Sequence, residues 1–111
     1  MKSLFLSGKC EIKHLGCWRD CSDRAIGEDH KAIYSHSLKD RCYDRTVNLG
    51  YRVFGLQVRE ECYIAADAKD TYDKHGETTA CWPGGGGGPW ALDVYEIINC
   101  TGITICCLKK K

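Results

Sequence analysis

Nine cysteines lie along this chain of 111 residues, at Cys10, Cys17, Cys21, Cys42, Cys62, Cys81, Cys100, Cys106 and Cys107. Thiols can hold zinc, attack a substrate or oxidise to cross-links, and their spacing separates these uses. Structural zinc sites bring ligands in closely spaced pairs, and this chain has no C-x-x-C. A cysteine nucleophile needs a reduced thiolate beside a base, here one of His14, His30, His36 or His75. At about 8% cysteine the composition instead reads as a disulfide scaffold, in which the thiols are oxidised. Such cross-links persist in oxidising compartments, so a secreted, extracellular and noncatalytic chain is expected. An odd count leaves one thiol unpaired within the chain.

Two further groups bear on chemistry. Asp20, Asp23, Glu28 and Asp29 are oxygen donors of the kind calcium takes, but their spacing matches no EF-hand loop. Arg19 and Arg24 lie among them, so salt bridges are the expected use. His30 and His36 stand six apart in a loop and give no metal pair, and no metal or cofactor is expected. The aromatic residues point to binding instead. Trp82 and Trp90 bracket the run Gly84 to Gly88, Asp93 follows, and Trp18 precedes Arg19 and Asp20. Aromatic faces with polar handles nearby are what a sugar ring requires. Trp18 and Trp90 are also candidates to pack against the disulfides, which leaves Trp82 as the expected exposed aromatic.

Composition removes several classes. The 16 basic and 15 acidic residues give a net charge of +1 and are well mixed, so no nucleic-acid partner is expected. Lys109 to Lys111 reads as a solubilising tail. No apolar run approaches the ~20 residues that span a bilayer, so membrane insertion is not expected. Met1 to Gly8 holds an apolar stretch too short for a signal peptide, which reads as a recombinant start in place of an export signal. Asn99-Cys100-Thr101 is an N-glycosylation sequon, so Asn99 is the candidate site of a glycoprotein. The five glycines lack the Gly-Lys-Ser/Thr of a phosphate loop and read as a flexible loop.

One domain must position these residues, and a chain this short buries only roughly two thirds of its unfolded surface. Disulfides worth about 2–4 kcal/mol each therefore matter. The pattern reads as α+β. Residues 11–17 form a first strand and residues 18–36 are irregular. Ser37 caps a helix in which Leu38, Cys42, Thr46 and Leu49 share a face, ended by Gly50. Residues 51–58 alternate Phe54, Leu56 and Val58 onto one face of a strand. Arg59 to Glu61 form a turn and residues 62–64 return. A second helix is expected over 65–75, closed by Gly76, then strands over 91–98 and 102–108. Tyr95 reads as core.

Three segments carry a resemblance. Gly16-Cys17-Trp18-Arg19-Asp20 with Asp23-Arg24-Ala25-Ile26 resembles the opening of a WSC domain, G-C-Y-x-D with R-A-L downstream. Residues 51–63, YRVFGLQVREECY, are similar to that family's middle segment, where G-L-Q leads to E-C-Y-C. Residues 87–95, GGPWALDVY, resemble its closing G-G-x-x-R-L-S-V-Y. The match runs in order from residue 15 to 97 and is closest to short WSC-like modules of marine invertebrate secreted proteins. Two departures stand out: Ile64 occupies the place of the second cysteine of E-C-Y-C, and Cys42 has no cysteine four residues on.

The resemblance implies a small disulfide-rich antiparallel sheet crossed by one or two helices, PAN/apple-like. It divides the chain into an N-terminal extension (1–9), the WSC-like domain (10–108) and a basic tail (109–111). It implies recognition of a glycan or an extracellular protein, so lectin-like carbohydrate binding through Trp82, Trp90, Asp93 and Trp18 is the leading expectation. A structural, adhesive or matrix component cross-linked by disulfides is the alternative, and a defence peptide or toxin a third. The implied frame is Cys17, Cys42, Cys62 and Cys81. Of the three connectivities four cysteines allow, Cys17–Cys62 with Cys42–Cys81 is the one expected. If the termini pair as adjacent strands, Cys10 and Cys100 bridge them. Adjacent Cys106 and Cys107 bridge each other poorly, so one is available to Cys21. The thiol that remains is available for a disulfide-linked homodimer.

Overall fold

Apolar residues at consecutive positions, rather than alternate ones, mark strands buried on both faces. The segments VFGLQ and ALDVYEI have this character, and in a computed structural model of the chain every one of their residues is buried. The structure describes residues 9–27 and 38–101. In chain order the elements are β1 (Lys9–Arg19), α1 (Leu38–Leu49), β2 (Val53–Gln57), β3 (Glu61–Ile64), α2 (Ala68–Thr71) and β4 (Ala91–Thr101). The strands form one antiparallel sheet in the order β1-β4-β2-β3. The fold is thus a small disulfide-rich α+β unit with a four-stranded sheet and two helices.

Because successive strand residues face opposite sides, the two faces carry different clusters. Phe54, Leu56, Cys62, Ile64, Tyr95 and Ile97 pack under Leu38 and Cys42 of α1. Val53, Tyr63, Leu92 and Val94 pack with Ala25, Ile26, Ala65 and Ala68, the last in α2. The alternation expected to place one apolar face on β2 therefore serves two layers at once. In α1 the buried residues are Leu38, Cys42 and Thr46, one helical stripe at i, i+4 and i+8. The Thr46 hydroxyl donates to the Cys42 carbonyl at 2.6 Å, which satisfies a polar group inside the core.

Several expectations are corrected. Leu49 is 47% exposed, because the chain reverses at Gly50 and Tyr51 packs on the cluster in its place. The second helix shrinks to four residues. Beyond it, Lys74 N–H bonds the Thr71 carbonyl and Gly76 N–H the Asp73 carbonyl, three-residue spans that make turns instead of helix. The segment is rich in Asp and Thr, which favour such turns. Ser37 and the strand expected at 102–108 lie outside the described residues.

The disulfides are Cys10–Cys100, Cys17–Cys81 and Cys42–Cys62. The expected Cys17–Cys62 and Cys42–Cys81 pairs are exchanged, for a geometric reason. β1 and β3 are opposite edges of the sheet, three strand spacings or about 14 Å apart. A bridge between Cys17 and Cys62 cannot span that distance. Cys42 instead faces Cys62 within the α1-side core, and Cys17 ties β1 to the segment before the glycines. Cys10 and Cys100 join the paired ends of β1 and β4. Cys21 is half-buried and has no disulfide partner among the described residues; Cys106 and Cys107 lie outside them.

Candidate functional site

The glycine run packs as a wall against the β2–β3 hairpin. Arg59 N–H donates to the Gly86 carbonyl at 2.8 Å, and Trp82 N–H to the Gly87 carbonyl at 2.9 Å. A Cβ on Gly86 would lie 2.6 Å from Arg59 Cγ, and one on Gly87 would strike the backbone carbonyls of Leu56 and Ala91. Both glycines also adopt positive φ, at 90° and 75°. Close approach and left-handed backbone together leave glycine as the residue that fits. On the hairpin side, Val58 and Arg59 sit at φ 45° and 59°, a rare conformation for a β-branched residue. That reversal presents Arg59 to the glycine wall.

Between wall, hairpin and helix lies a groove of about 330 Å³, lined by Leu38, Lys39, Leu56, Arg59, Gly84, Gly85, Gly86 and Tyr95. This falls at the small end of the range for ligand sites. The Arg59 guanidinium donates to the Pro83 carbonyl at 2.8 Å and lies over the Trp82 ring at 4.9 Å. The Lys39 ammonium lies over the Tyr95 ring, also at 4.9 Å. Both are cation–π contacts that hold long side chains in place. The Tyr95 ring is further fixed by stacking on Phe54 at 5.4 Å and by His14 at 4.9 Å. Its hydroxyl faces Gly85. Burial, reinforced by the negative charge of Asp93, raises the ionisation of that hydroxyl above the ordinary tyrosine range, so it remains a donor.

Of the residues singled out in the sequence, Trp82 is 36% exposed and lies under Arg59, a residue of the groove lining. Asp93 does not reach the surface. It is 4% exposed, accepts from Gly87 N–H at 2.9 Å and lies 2.8 Å from His14 Nε2. Asp93 therefore holds the glycine wall from behind, and its expected ligand contact is corrected. Trp18 is half-buried, packs edge-on against Tyr72 at 5.2 Å and donates to the Leu15 carbonyl, outside the groove lining. Trp90 was a candidate for packing on a disulfide, yet it is 52% exposed. Its ring carries the Arg24 guanidinium at 4.9 Å, and Arg24 in turn is bound to Asp20 at 2.7 Å. Trp90 thus belongs to a separate aromatic–cation patch with Tyr63.

The two described acids of the cluster form ion pairs. Asp20 holds Arg24 and the Ala25 amide, and Asp23 meets Lys74 at 3.3 Å. Among the described residues no three His, Cys, Asp or Glu side chains converge on a metal position, and Glu28, Asp29, His30 and His36 lie outside them. Asn99 is exposed at the end of the sheet, its amide donating to Glu11 at 2.9 Å. Lys39 and Arg59 were not singled out in the sequence. Arg59 reaches the glycine run only through the left-handed backbone of Val58 and Arg59, which spacing does not reveal, and Lys39 carried no signal. Tyr95 was read as core, which holds for its ring.

No protein-family model matches the chain, and no curated protein matches it. No helix among the described residues is long and apolar enough to cross a membrane.

Proposed function

We propose that the chain is a secreted, noncatalytic recognition module of WSC type that binds carbohydrate in the groove beside the glycine wall. The observation that carries this reading is the groove itself. Its aromatic and apolar surfaces, Tyr95, Leu38, Leu56 and the adjacent Trp82, lie beside fixed polar groups on Arg59, Lys39 and the Tyr95 hydroxyl. Three disulfides within one small domain support an oxidising, extracellular setting. They also pre-order the walls, which reduces the entropy lost on binding. The test is a glycan array probed with the wild-type chain and with Trp82→Ala. Saturable binding that weakens by about tenfold or more in the variant is expected, in keeping with an aromatic anchor. Binding that is unchanged in Trp82→Ala contradicts the site, and an array without binding contradicts the reading.

A matrix or adhesive role is the second reading, and Cys21 favours it. Its thiol is half-exposed and has no disulfide partner among the described residues, and a bond to a second chain could form there. Disulfide-linked dimers on a non-reducing gel, lost in Cys21→Ser, are the outcome this role requires.

A further inference from the structure

The groove offers its ligand positive charge and a hydroxyl, and no carboxylate or amide side chain is in its lining among the described residues. Lys39 brings an ammonium, Arg59 a guanidinium and Tyr95 a hydroxyl. Lys39 is in contact with the Tyr95 ring and Arg59 with Trp82 and the Pro83 carbonyl; neither is paired with a carboxylate among the described residues. Asp93, behind the glycine wall, is buried and already bonded to Gly87 N–H and His14. A neutral sugar presents hydroxyls that donate as well as accept, and sites for it supply acceptors. Two cations with no carboxylate partner among the described residues, beside a hydroxyl, match an anion instead, because ionised oxygens accept several charge-assisted bonds at once.

We infer that the bound saccharide is acidic, with a carboxylate or sulfate seated between Lys39 and Arg59 and the sugar body against Leu38, Leu56 and the glycine wall. This rests on the carbohydrate reading of the same groove. The apolar lining accounts for the ring and the two cations for the charge. Arg59 is the more committed contact, since its guanidinium is fixed by Trp82 and Pro83 and points its remaining donors in a set direction.

The experiment is calorimetric titration of the full chain with three probes: oligogalacturonate, the same oligomer fully methyl-esterified, and a sulfated galactan oligomer. One acidic probe is expected to bind at least roughly tenfold more tightly than the ester. The choice between the two acidic probes identifies carboxylate or sulfate as the anion. Arg59→Gln and Lys39→Gln should each weaken the acidic probe by roughly tenfold. Arg41→Gln, an exposed cation on α1 outside the groove, should leave it unchanged. Equal affinity for ester and acid overturns the inference and leaves the carbohydrate reading standing. An equal loss in Arg41→Gln also overturns it, since attraction to overall charge would then suffice. Failure of all three probes and of the neutral array overturns both.

Discussion

The two faces of one sheet end in opposite ways. On the α2 side the space is filled: a single methyl added to Gly55 would press on Leu92 Cδ2 at 3.1 Å and Ile26 Cδ1 at 3.2 Å. On the α1 side the same strands leave a groove of about 330 Å³. Alternate residues of β4 make the difference. Leu92 and Val94 enter the closed apolar cluster, whereas Asp93 and Tyr95 turn a carboxylate and a hydroxyl toward the glycine run. A buried carboxylate is costly unless it is bonded. Here it is bonded to the backbone that forms the groove wall, so the polar group on this face holds a loop in place instead of filling a core.

The largest expected effect breaks the wall. In Gly87→Ala the new Cβ meets rigid backbone, at a φ that alanine disfavours, and displaces the amide that Asp93 holds. A loss above about 4 kcal/mol in denaturant unfolding is expected, the range reserved for such combined defects. Gly55→Ala on the closed face meets only side chains and should cost about 1–3 kcal/mol as overpacking. A larger cost at Gly55 than at Gly87 would reverse the picture of which face is rigidly determined.

A smaller effect probes Tyr95. Its folded-state ionisation lies above the ordinary value of 10.0, through burial and then the charge of Asp93. The unfolded chain loses that proton at the ordinary value, so the stabilisation is complete below about pH 10 and fades as pH rises through the folded value. The urea midpoint should therefore fall more steeply above about pH 10 in the wild type than in Tyr95→Phe. Identical slopes would place the hydroxyl in water, outside the groove floor.

Much of this framework is readable in the residues, and the unreadable part has physical causes. The strands of β2, β3 and β4 and the stripe Leu38, Cys42 and Thr46 follow from periodicity, which is local information. The disulfide pairing does not, because it depends on β1 and β3 being opposite edges of the sheet, a fact of strand order. Residues 65–75 have the composition of a helix, but Thr71 instead donates to the Ala25 carbonyl and the turns after it end the helix early. Trp82 was legible as an exposed aromatic. Its partner Arg59 was not, since its position depends on two left-handed residues in the hairpin that sequence pattern does not announce. Asp93 was singled out as polar beside the tryptophan loop, yet strand alternation turns it inward to His14 and Gly87.

The central claim is that the α1-side groove, and not the Trp90 patch or the closed face, receives the ligand. Amide and side-chain chemical shifts followed during titration with an array-identified saccharide test it most directly. The account predicts shifts concentrated at Lys39, Arg59, Trp82 and Gly84 to Gly86, with Ala25, Ile26 and Leu92 unmoved. Shifts centred on Trp90 and Arg24, with the glycine wall unmoved, would contradict it.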